Sequence, residues 1–251
     1  MKKRRFGRKI IEPDKQEVRL NKYIADSGLT SRRKADELIA KGVVKINGKK
    51  VTEMGARVHP GDLVTVNGNP VKEDKNNIYI LLNKPKDHIS TTDDELNRKT
   101  VLDIVKRKER LFPVGRLDRN TTGVLLLTND GELTQRLTHP RYKIPRVYKV
   151  LLDKELQFNH AAEIAKGVEL EDMITSPCEV FINPDDKSKV TITLIEGKNH
   201  EVKNIFAHFG YKVKQLDREI FASLTTKGMK RGQYRYLNRK EITKLRRIAG
   251  L

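Results

Sequence analysis

The stretch GRLDRNTTG at residues 115–123 is followed directly by the apolar run VLLL at residues 124–127 and then by Asn129-Asp130-Gly131. A short apolar run closed by turn residues predicts a buried strand that ends in a turn. The polar loop before the strand would therefore be held against a rigid element. This loop presents a single carboxylate, Asp118, with an arginine on either side of it.

Asp118 is the candidate functional group of this loop. Flanking cations favour the ionised form of an acid, and an ionised, positioned carboxylate can act as a nucleophile or as a general base. The alternative is a surface loop in which Asp118 caps a turn. Local chemistry alone favours this structural alternative, because structural ion pairs also surround acids.

A longer run around the loop, GRLDRNTTGVLLLTNDGEL at residues 115–133, resembles the catalytic motif of the pseudouridine synthases. The resemblance is to the ribosomal RNA enzymes of the RsuA/RluB type, and most of all to the RluB-type large-subunit enzymes. It implies a mixed, largely antiparallel sheet with helices and a central cleft. The segments predicted along the chain show no regular βαβ alternation, which independently favours an α+β fold.

The composition favours a nucleic-acid partner. The 251 residues include 52 Lys and Arg against 33 Asp and Glu, a formal net charge of +19. A surplus of this size favours a polyanionic partner, with nucleic acid as the first candidate and an anionic membrane surface as the second. No apolar stretch approaches the ~20 residues needed to span a bilayer, and no signal peptide follows the basic N-terminus. A single cysteine, Cys178, excludes an internal disulfide and fits a reducing, cytoplasmic compartment.

Changes in composition divide the chain into four parts. Residues 1–16 are basic with almost no apolar residues, which predicts a disordered arm that either settles on phosphates or is simply solvated. Residues 69–77 are polar and lack periodicity, which predicts a linker. The two predicted domains are therefore residues 17–68 and residues 78–251.

The first domain resembles the S4-type (alpha-L) RNA-binding domain. Its sequence predicts a helix stopped by Gly28 and a second helix capped by Thr30 or Ser31. A hairpin with a type I′ turn at Asn47-Gly48 and a further short strand follow.

The second helix begins with Arg32, Arg33 and Lys34. Cations in a first turn oppose the helix dipole, at a cost of a few tenths of a kcal/mol each. They are well placed for anions, because free N–H groups and guanidinium groups then face the same phosphate. The resemblance implies an RNA surface made of this turn and of the hairpin lysines, with Lys45 and Lys49 as the candidates.

The resemblance adds two candidates to Asp118 in the second domain. Tyr148, in a predicted strand, matches the tyrosine that packs on the target base. Lys203, in a predicted helix, matches the basic residue that pairs with the aspartate. Arg116 is expected to fill the gap left by a flipped base.

The chain departs from the family pattern at two positions. Asn83-Lys84-Pro85 resembles the family's asparagine-lysine-proline loop, but Asp87 stands where glycine is frequent. Asn204 stands where a second arginine is usual. The histidines follow no zinc-ligand spacing, and we expect His139, His200 and His208 to be structural or solvent-facing.

The resemblance implies the isomerisation of uridine to pseudouridine within RNA. The N1–C1′ bond breaks, the uracil turns, and a C5–C1′ bond forms. Nothing is oxidised and no group is transferred, so we expect no cofactor and no metal. Asp118 would act on the ribose as a nucleophile or by taking a proton, and both routes stay open.

We expect the substrate to be 23S ribosomal RNA, because Asn120 and His139-Pro140 resemble the RluB-type enzymes. His200 and Lys203 resemble the RsuA-type enzyme instead, which leaves 16S ribosomal RNA as the alternative. A non-catalytic RNA-binding assembly factor is the main rival from another class, and a DNA-binding regulator is a weaker one. We expect a monomer with ribosomal RNA as its partner, and neither a DNA nor a membrane partner.

Overall fold

The computed structural model describes residues 17–72, 76–92, 94–171 and 173–251. The predicted basic arm, residues 1–16, lies outside this part of the chain. The chain forms two compact units, and the boundary between them falls after Asn76.

The first unit combines two helices with short strands. In chain order, its elements are β1 Val18–Arg19, α1 Leu20–Asp26, α2 Arg32–Ala40, β2 Val44–Ile46, β3 Lys49–Lys50, β4 Arg57–Val58, β5 Val64–Val66 and β6 Asn69–Val71. Strands β3, β2, β5 and β6 form an antiparallel sheet in that order, and β1 pairs with β4.

Local signals set these elements, as the sequence predicts. The Ser31 hydroxyl caps α2 by accepting a hydrogen bond from the Lys34 amide at 3.1 Å. Asn47 and Gly48 have φ values of 50° and 81°, which are those of a type I′ turn. The core of the unit buries Leu20, Ile24, Ala35, Ile39, Val44, Val58, Val64, Val66 and Val71.

The predicted linker begins too early. Residues 69–71, assigned to it from the sequence, form β6 and pair with β5. Val71 is buried in the core of the first unit, and its carbonyl accepts a hydrogen bond from the Tyr23 hydroxyl at 3.3 Å. The polar neighbours of Val71 conceal this single buried side chain in the sequence.

In the residues that the structure describes, the second unit contains five α-helices, a 3-10 helix at Pro140–Tyr142 and a large sheet. In chain order, its elements are β7 Tyr79–Lys84, α3 Val101–Ile104, β8 Phe112–Pro113, β9 Thr122–Thr128, α4 Gly131–Thr138, β10 Arg146–Leu152, α5 Phe158–Lys166, β11 Glu169–Leu170, β12 Met173–Ile174, β13 Glu179–Ile182, β14 Lys189–Leu194, α6 Glu201–His208, β15 Val213–Phe221, β16 Leu224–Thr225, β17 Tyr234–Tyr236 and α7 Arg239–Ile248.

The sheet of this unit is mixed and largely antiparallel, which confirms the predicted α+β class. Its order is β13-β14-β10-β15-β9-β7-β17, with β16 beside β15 and β8 beside β9. Within the described residues, the strand pairs of this sheet are antiparallel except β9 with β15.

The central strands β7 and β9 are buried on both faces, which explains their continuous apolar sequence. Alternate side chains enter two separate clusters. One cluster takes Ile80, Leu82, Leu125 and Leu127 together with α5 and α6. The other takes Tyr79, Leu81, Val124 and Leu126 together with α4 and α7.

Strand β9 begins beside β15 at a very close approach of the two backbones. Gly123 pairs with Arg218 in parallel register and has a φ of 106°. A Cβ atom there would lie 2.2 Å from the Arg218 carbonyl oxygen. Both the conformation and the space therefore require glycine at the point where the Asp118 loop enters the sheet.

We expect Gly123→Ala to lower the free energy of unfolding by roughly 3 kcal/mol, because backbone strain and a steric clash add. Gly210→Ala is the matched control, since Gly210 has a φ of 73° and nothing within 4 Å of a Cβ. Denaturant unfolding of both variants measures the difference. Equal losses would show that the close approach to β15 does not constrain this position.

Candidate active site

The backbone around Asp118 is held by a buried lysine. Lys84 ends β7 and is fully buried. Its ammonium group donates to the carbonyl oxygens of Asp118 at 3.0 Å, Arg119 at 3.0 Å and Thr121 at 2.8 Å. The Pro85 carbonyl lies at 3.1 Å. One side chain thus fixes the turn that presents the Asp118 carboxylate.

Burial lowers the pKa of Lys84 to about 8, against the attraction of the Asp118 carboxylate. The ammonium is retained in the interior by carbonyl dipoles. In the sequence, Lys84 is marked by the resemblance of Asn83-Lys84-Pro85 to the family loop. Its place at the end of an apolar strand is a second, weaker signal that Lys84 is buried.

Asp87 stands at the position where the resemblance leads us to expect glycine. Its φ is 63°, in the left-handed region that Asp adopts more readily than most residues. Its carboxylate accepts from Arg119 Nε at 2.6 Å, and Arg119 lowers the pKa of Asp87. The aspartate at position 87 therefore holds the side chain of Arg119, the residue that follows Asp118, in an ion pair.

The first turn of α6 brings Lys203 to Asp118. Lys203 Nζ lies 2.5 Å from Asp118 Oδ2, and the carboxylate is 27% exposed. The structure thus joins two of the three predicted catalytic residues in a direct ion pair. Their catalytic roles remain predictions.

His200 also lies at this carboxylate. Its side chain is 54% exposed, as expected for a solvent-facing histidine, yet Nε2 lies 3.5 Å from Asp118 Oδ1. His200 was not among the site residues predicted from the sequence. Its position three residues before Lys203, just ahead of the same helix, was the available signal.

Tyr148 lies in the middle of β10, 8% exposed, opposite Arg218 of β15. Arg218 is fully buried and donates from Nε to the Val124 carbonyl at 2.9 Å. Its guanidinium carbon lies 4.6 Å from the centre of the Phe221 ring. Arg218 Nη2 has no hydrogen-bond partner among the described residues.

A second buried guanidinium belongs to Arg146. It donates to the Ile144 carbonyl at 3.3 Å and lies 5.7 Å from the centre of the Phe221 ring. Burial lowers the pKa of both Arg146 and Arg218, but arginine keeps its charge in proteins. Neither has a carboxylate within ion-pair distance in the described parts of the chain, so this wall is electropositive.

These groups share one cleft of about 340 Å³. A cleft of this size is in the range of small-ligand sites. Its lining includes Asp118, Tyr148, Lys203, Arg116, His200, Arg146 and Arg218. Arg116 is exposed and lies in the same loop as Asp118.

A buried carboxyl group supports the loop that carries His200. Glu201 Oε2 accepts from the Lys198 amide at 2.9 Å, and Oε1 has no partner in the described structure. Burial raises the pKa of Glu201 to about 7, and the neighbouring Glu196 carboxylate adds to the rise. Glu196 itself accepts from the Ser176 amide at 2.6 Å.

The predicted RNA-binding residues of the first unit are all exposed. Arg32, Arg33 and Lys34 occupy the first turn of α2, while Lys45 and Lys49 lie on β2 and β3. Their RNA contacts remain predictions.

Comparison with known proteins decides the family. Residues 78–208 match the family model described as RNA pseudouridylate synthase, and residues 18–64 match the S4 domain. The first match spans more than half of the chain. The chain belongs to the RNA pseudouridylate synthase family.

Relatives of similar length support the match. A Bacillus subtilis protein named ribosomal large subunit pseudouridine synthase B is 41% identical over 240 residues, 92% of this chain and 96% of the relative. The dual-specificity RNA pseudouridine synthase RluF of Escherichia coli K12 is 36% identical over 230 residues, 91% of this chain and 78% of the relative. A solved structure of a pseudouridylate synthase is 32% identical, has a TM-score of 0.67, and covers 91% of this chain and 99% of that one.

The chain is thus an isomerase, an RNA pseudouridine synthase of the RsuA/RluB type that carries an S4 domain. This confirms the predicted family, fold and enzyme class. Across the described residues, no helix has the length and apolar character needed to cross a membrane.

We expect Lys84→Met to lower the free energy of unfolding by about 2–4 kcal/mol, because buried carbonyl groups lose their donor. It should also slow isomerisation, since the turn at Asp118 is no longer fixed. Lys86→Met is the control, because Lys86 is exposed. Denaturant unfolding and turnover of both variants test this, and equal effects would contradict the role of Lys84.

The raised pKa of Glu201 predicts a pH-dependent stability. Between the ordinary value of 4.5 and about 7, the folded state binds the proton more tightly, so stability falls as pH rises through this window. Glu201→Gln should therefore match the wild type near pH 4.5 and exceed it at pH 8, by up to roughly 3 kcal/mol. Unfolding at both pH values tests this, with the exposed Glu163→Gln as control. A pH-independent difference would contradict it.

Proposed function

We propose that this enzyme converts one specific uridine of 23S ribosomal RNA to pseudouridine, with Asp118 acting on the ribose of a flipped nucleotide. The observation that carries the proposal is the Asp118–Lys203 ion pair at 2.5 Å inside the cleft that Tyr148 also lines. The preference for 23S RNA is supported by the B. subtilis relative, which is named as a large-subunit enzyme.

The uridine must first leave its stack, which costs a few kcal/mol. Tyr148 offers a ring on the cleft wall, and stacking of a base on an aromatic side chain contributes about 1–3 kcal/mol. The exposed guanidinium of Arg116 lies in the cleft lining and is placed to enter the vacated position. These two residues oppose the cost of extrusion.

Asp118 then acts at the sugar. Lys203 engages Oδ2, which leaves Oδ1, near His200, for the ribose. The carboxylate either attacks C1′ or takes a proton from the ribose, and both routes end in cleavage of the N1–C1′ bond. Because Lys84 fixes the backbone, the carboxylate is oriented before the RNA arrives.

The detached uracil carries the electron pair of the broken bond. Arg218 and Arg146 place two buried positive charges in the wall beside Tyr148, where they stabilise this anion while it turns. The ring then forms the C5–C1′ bond. As it does so, the Asp118–C1′ bond breaks on the first route, or the ribose regains its proton from Asp118 on the second. C5 loses a proton and N1 gains one. The product is an isomer of the substrate, so the reaction is balanced without a co-reactant.

We place the enzyme in the cytoplasm with its RNA, and we propose that it acts as a monomer. The first unit, whose ordered core extends through β6, would form the RNA-docking domain, and the second unit would form the catalytic domain. The 16S RNA alternative is favoured by one sequence pattern, the presence of both His200 and Lys203, which resembles the RsuA-type enzyme. A purely RNA-binding factor has no use for the Asp118–Lys203 pair.

We expect Asp118→Asn to abolish isomerisation and to leave RNA affinity nearly unchanged, because volume is kept and only the charge is lost. The assay incubates each variant with 23S and 16S transcripts and counts pseudouridine in both. Asp185→Asn, an exposed aspartate in a loop, is the control and should retain full activity. Substantial turnover by Asp118→Asn would remove Asp118 from its role.

We expect Arg32→Ala combined with Arg33→Ala to flatten the dependence of log Kd on log salt, by roughly 0.7–0.9 for each phosphate that the variant no longer binds. Filter binding across a salt series measures the slope. The control is Lys22→Ala, because Lys22 is already paired with Asp26 at 2.8 Å. An unchanged slope in the double variant would show that other residues dock the RNA.

A further inference from the structure

The excess positive charge of the chain is concentrated at its two ends. Residues 225–251 contain nine Lys and Arg and one acidic residue, a net +8 of the total of +19. Residues 1–68 contain 17 basic and eight acidic residues, whereas residues 69–224 are nearly balanced, with 26 and 24. The N-terminal part of the chain, which includes the proposed RNA-docking domain, therefore accounts for only about half of the surplus.

Helix α7 displays much of the C-terminal charge on one side. Its exposed residues on that side, which we call the α7 cationic face, are Arg239, Lys240, Thr243, Lys244 and Arg247. Ile242, Leu245 and Ile248 lie on the other side and pack into the core of the second unit. The face is thus held on a helix that is anchored by its apolar residues and by a capping box at Asn238.

Three other cations in residues 225–251 form ion pairs with carboxylates, which the cations of this face, within the described structure, do not. The paired ones are Arg231 with Asp217 at 2.7 Å, Arg235 with Glu241 at 2.7 Å and Arg246 with Asp130 at 3.2 Å. Within the described residues, no carboxylate lies within ion-pair distance of the four cations of the face. They therefore contribute no ion pair to the fold.

The spacing of these cations, and the two at the start of the helix, are unfavourable for helix stability. Lys240 and Lys244 are four residues apart, and Lys244 and Arg247 are three apart, so like charges are neighbours on the helix surface. Arg239 and Lys240 also lie in the first turn, where cations oppose the helix dipole. Arg247 lies in the last turn, where a cation favours the dipole. The repulsion among neighbouring cations is unfavourable in the free protein, and a bound polyanion would relieve it.

We propose that the α7 cationic face is a second RNA-binding surface, which holds phosphates of the substrate RNA outside the target nucleotide. From Arg239 to Arg247 the face extends about 12 Å along the helix, long enough for more than one phosphate. Charge complementarity commits the occupant to RNA, the polyanion on which this family acts. The inference rests on RNA as substrate and holds whichever ribosomal RNA is modified.

The test is the triple variant Lys240→Gln, Lys244→Gln and Arg247→Gln in the full chain. Glutamine keeps helix propensity and removes three charges. The salt dependence of Kd is measured with 23S and 16S fragments. If all three cations bind phosphates, the slope of log Kd against log salt falls by roughly 2–3. The charge-retaining variant Lys240→Arg, Lys244→Arg and Arg247→Lys should keep the wild-type slope.

The control variant removes the same charge elsewhere in the second unit, as Lys106→Gln, Lys212→Gln and Lys214→Gln, all exposed positions. It should keep the wild-type slope. Equal slopes for the wild type and the α7 variant would overturn the proposal, and so would an equal fall in the control, which would mark a net-charge effect. Loss of binding to anionic vesicles with an unchanged RNA slope would assign the face to a membrane instead.

Discussion

The buried ammonium group of Lys84 is the interaction on which the site depends. A charge in the interior is costly unless polar groups surround it, and here the surrounding groups are the carbonyls of the loop that carries Asp118. A movement of this loop would therefore leave both the Lys84 ammonium group and the loop carbonyl groups without hydrogen-bond partners. Lys84 ends β7, and Gly123 lies at the start of the neighbouring strand β9. The loop that carries Asp118 is therefore fixed to the sheet at both points, which limits the movement of its carboxylate.

The electrostatics of the cleft follow from this placement. One carboxylate, Asp118, is fixed with Lys203 at one oxygen, and two buried guanidinium groups line the wall beyond Tyr148. Arg146 and Arg218 are retained through backbone carbonyls and the ring of Phe221 rather than through ion pairs. Their charge is therefore available to a substrate anion. The proposed mechanism needs this combination, because in it the released base is negative and must stay bound while it turns.

Sequence predicted those parts of the structure that local signals determine, such as the Ser31 cap and the turn at Asn47. It did not predict β15, because the buried Arg218 interrupts the alternation that marks a half-buried strand. Buried ionisable residues such as Lys84 and Glu201 cannot be distinguished from surface residues in a sequence, because only the tertiary structure supplies their partners. Asp118, Tyr148 and Lys203 were located by resemblance. His200 was missed, and its position three residues before Lys203 was the one signal for it, because its contact with Asp118 forms only on folding.

We propose that this chain modifies one uridine of 23S ribosomal RNA through Asp118. The most direct measurement maps pseudouridines in both ribosomal RNAs from cells that carry the wild-type gene, no gene, or the Asp118→Asn gene. We predict that one 23S pseudouridine is absent without the gene, returns with the wild type and stays absent with the variant. Loss of a 16S pseudouridine with the 23S pattern intact, or restoration of the modification by the variant, would contradict it.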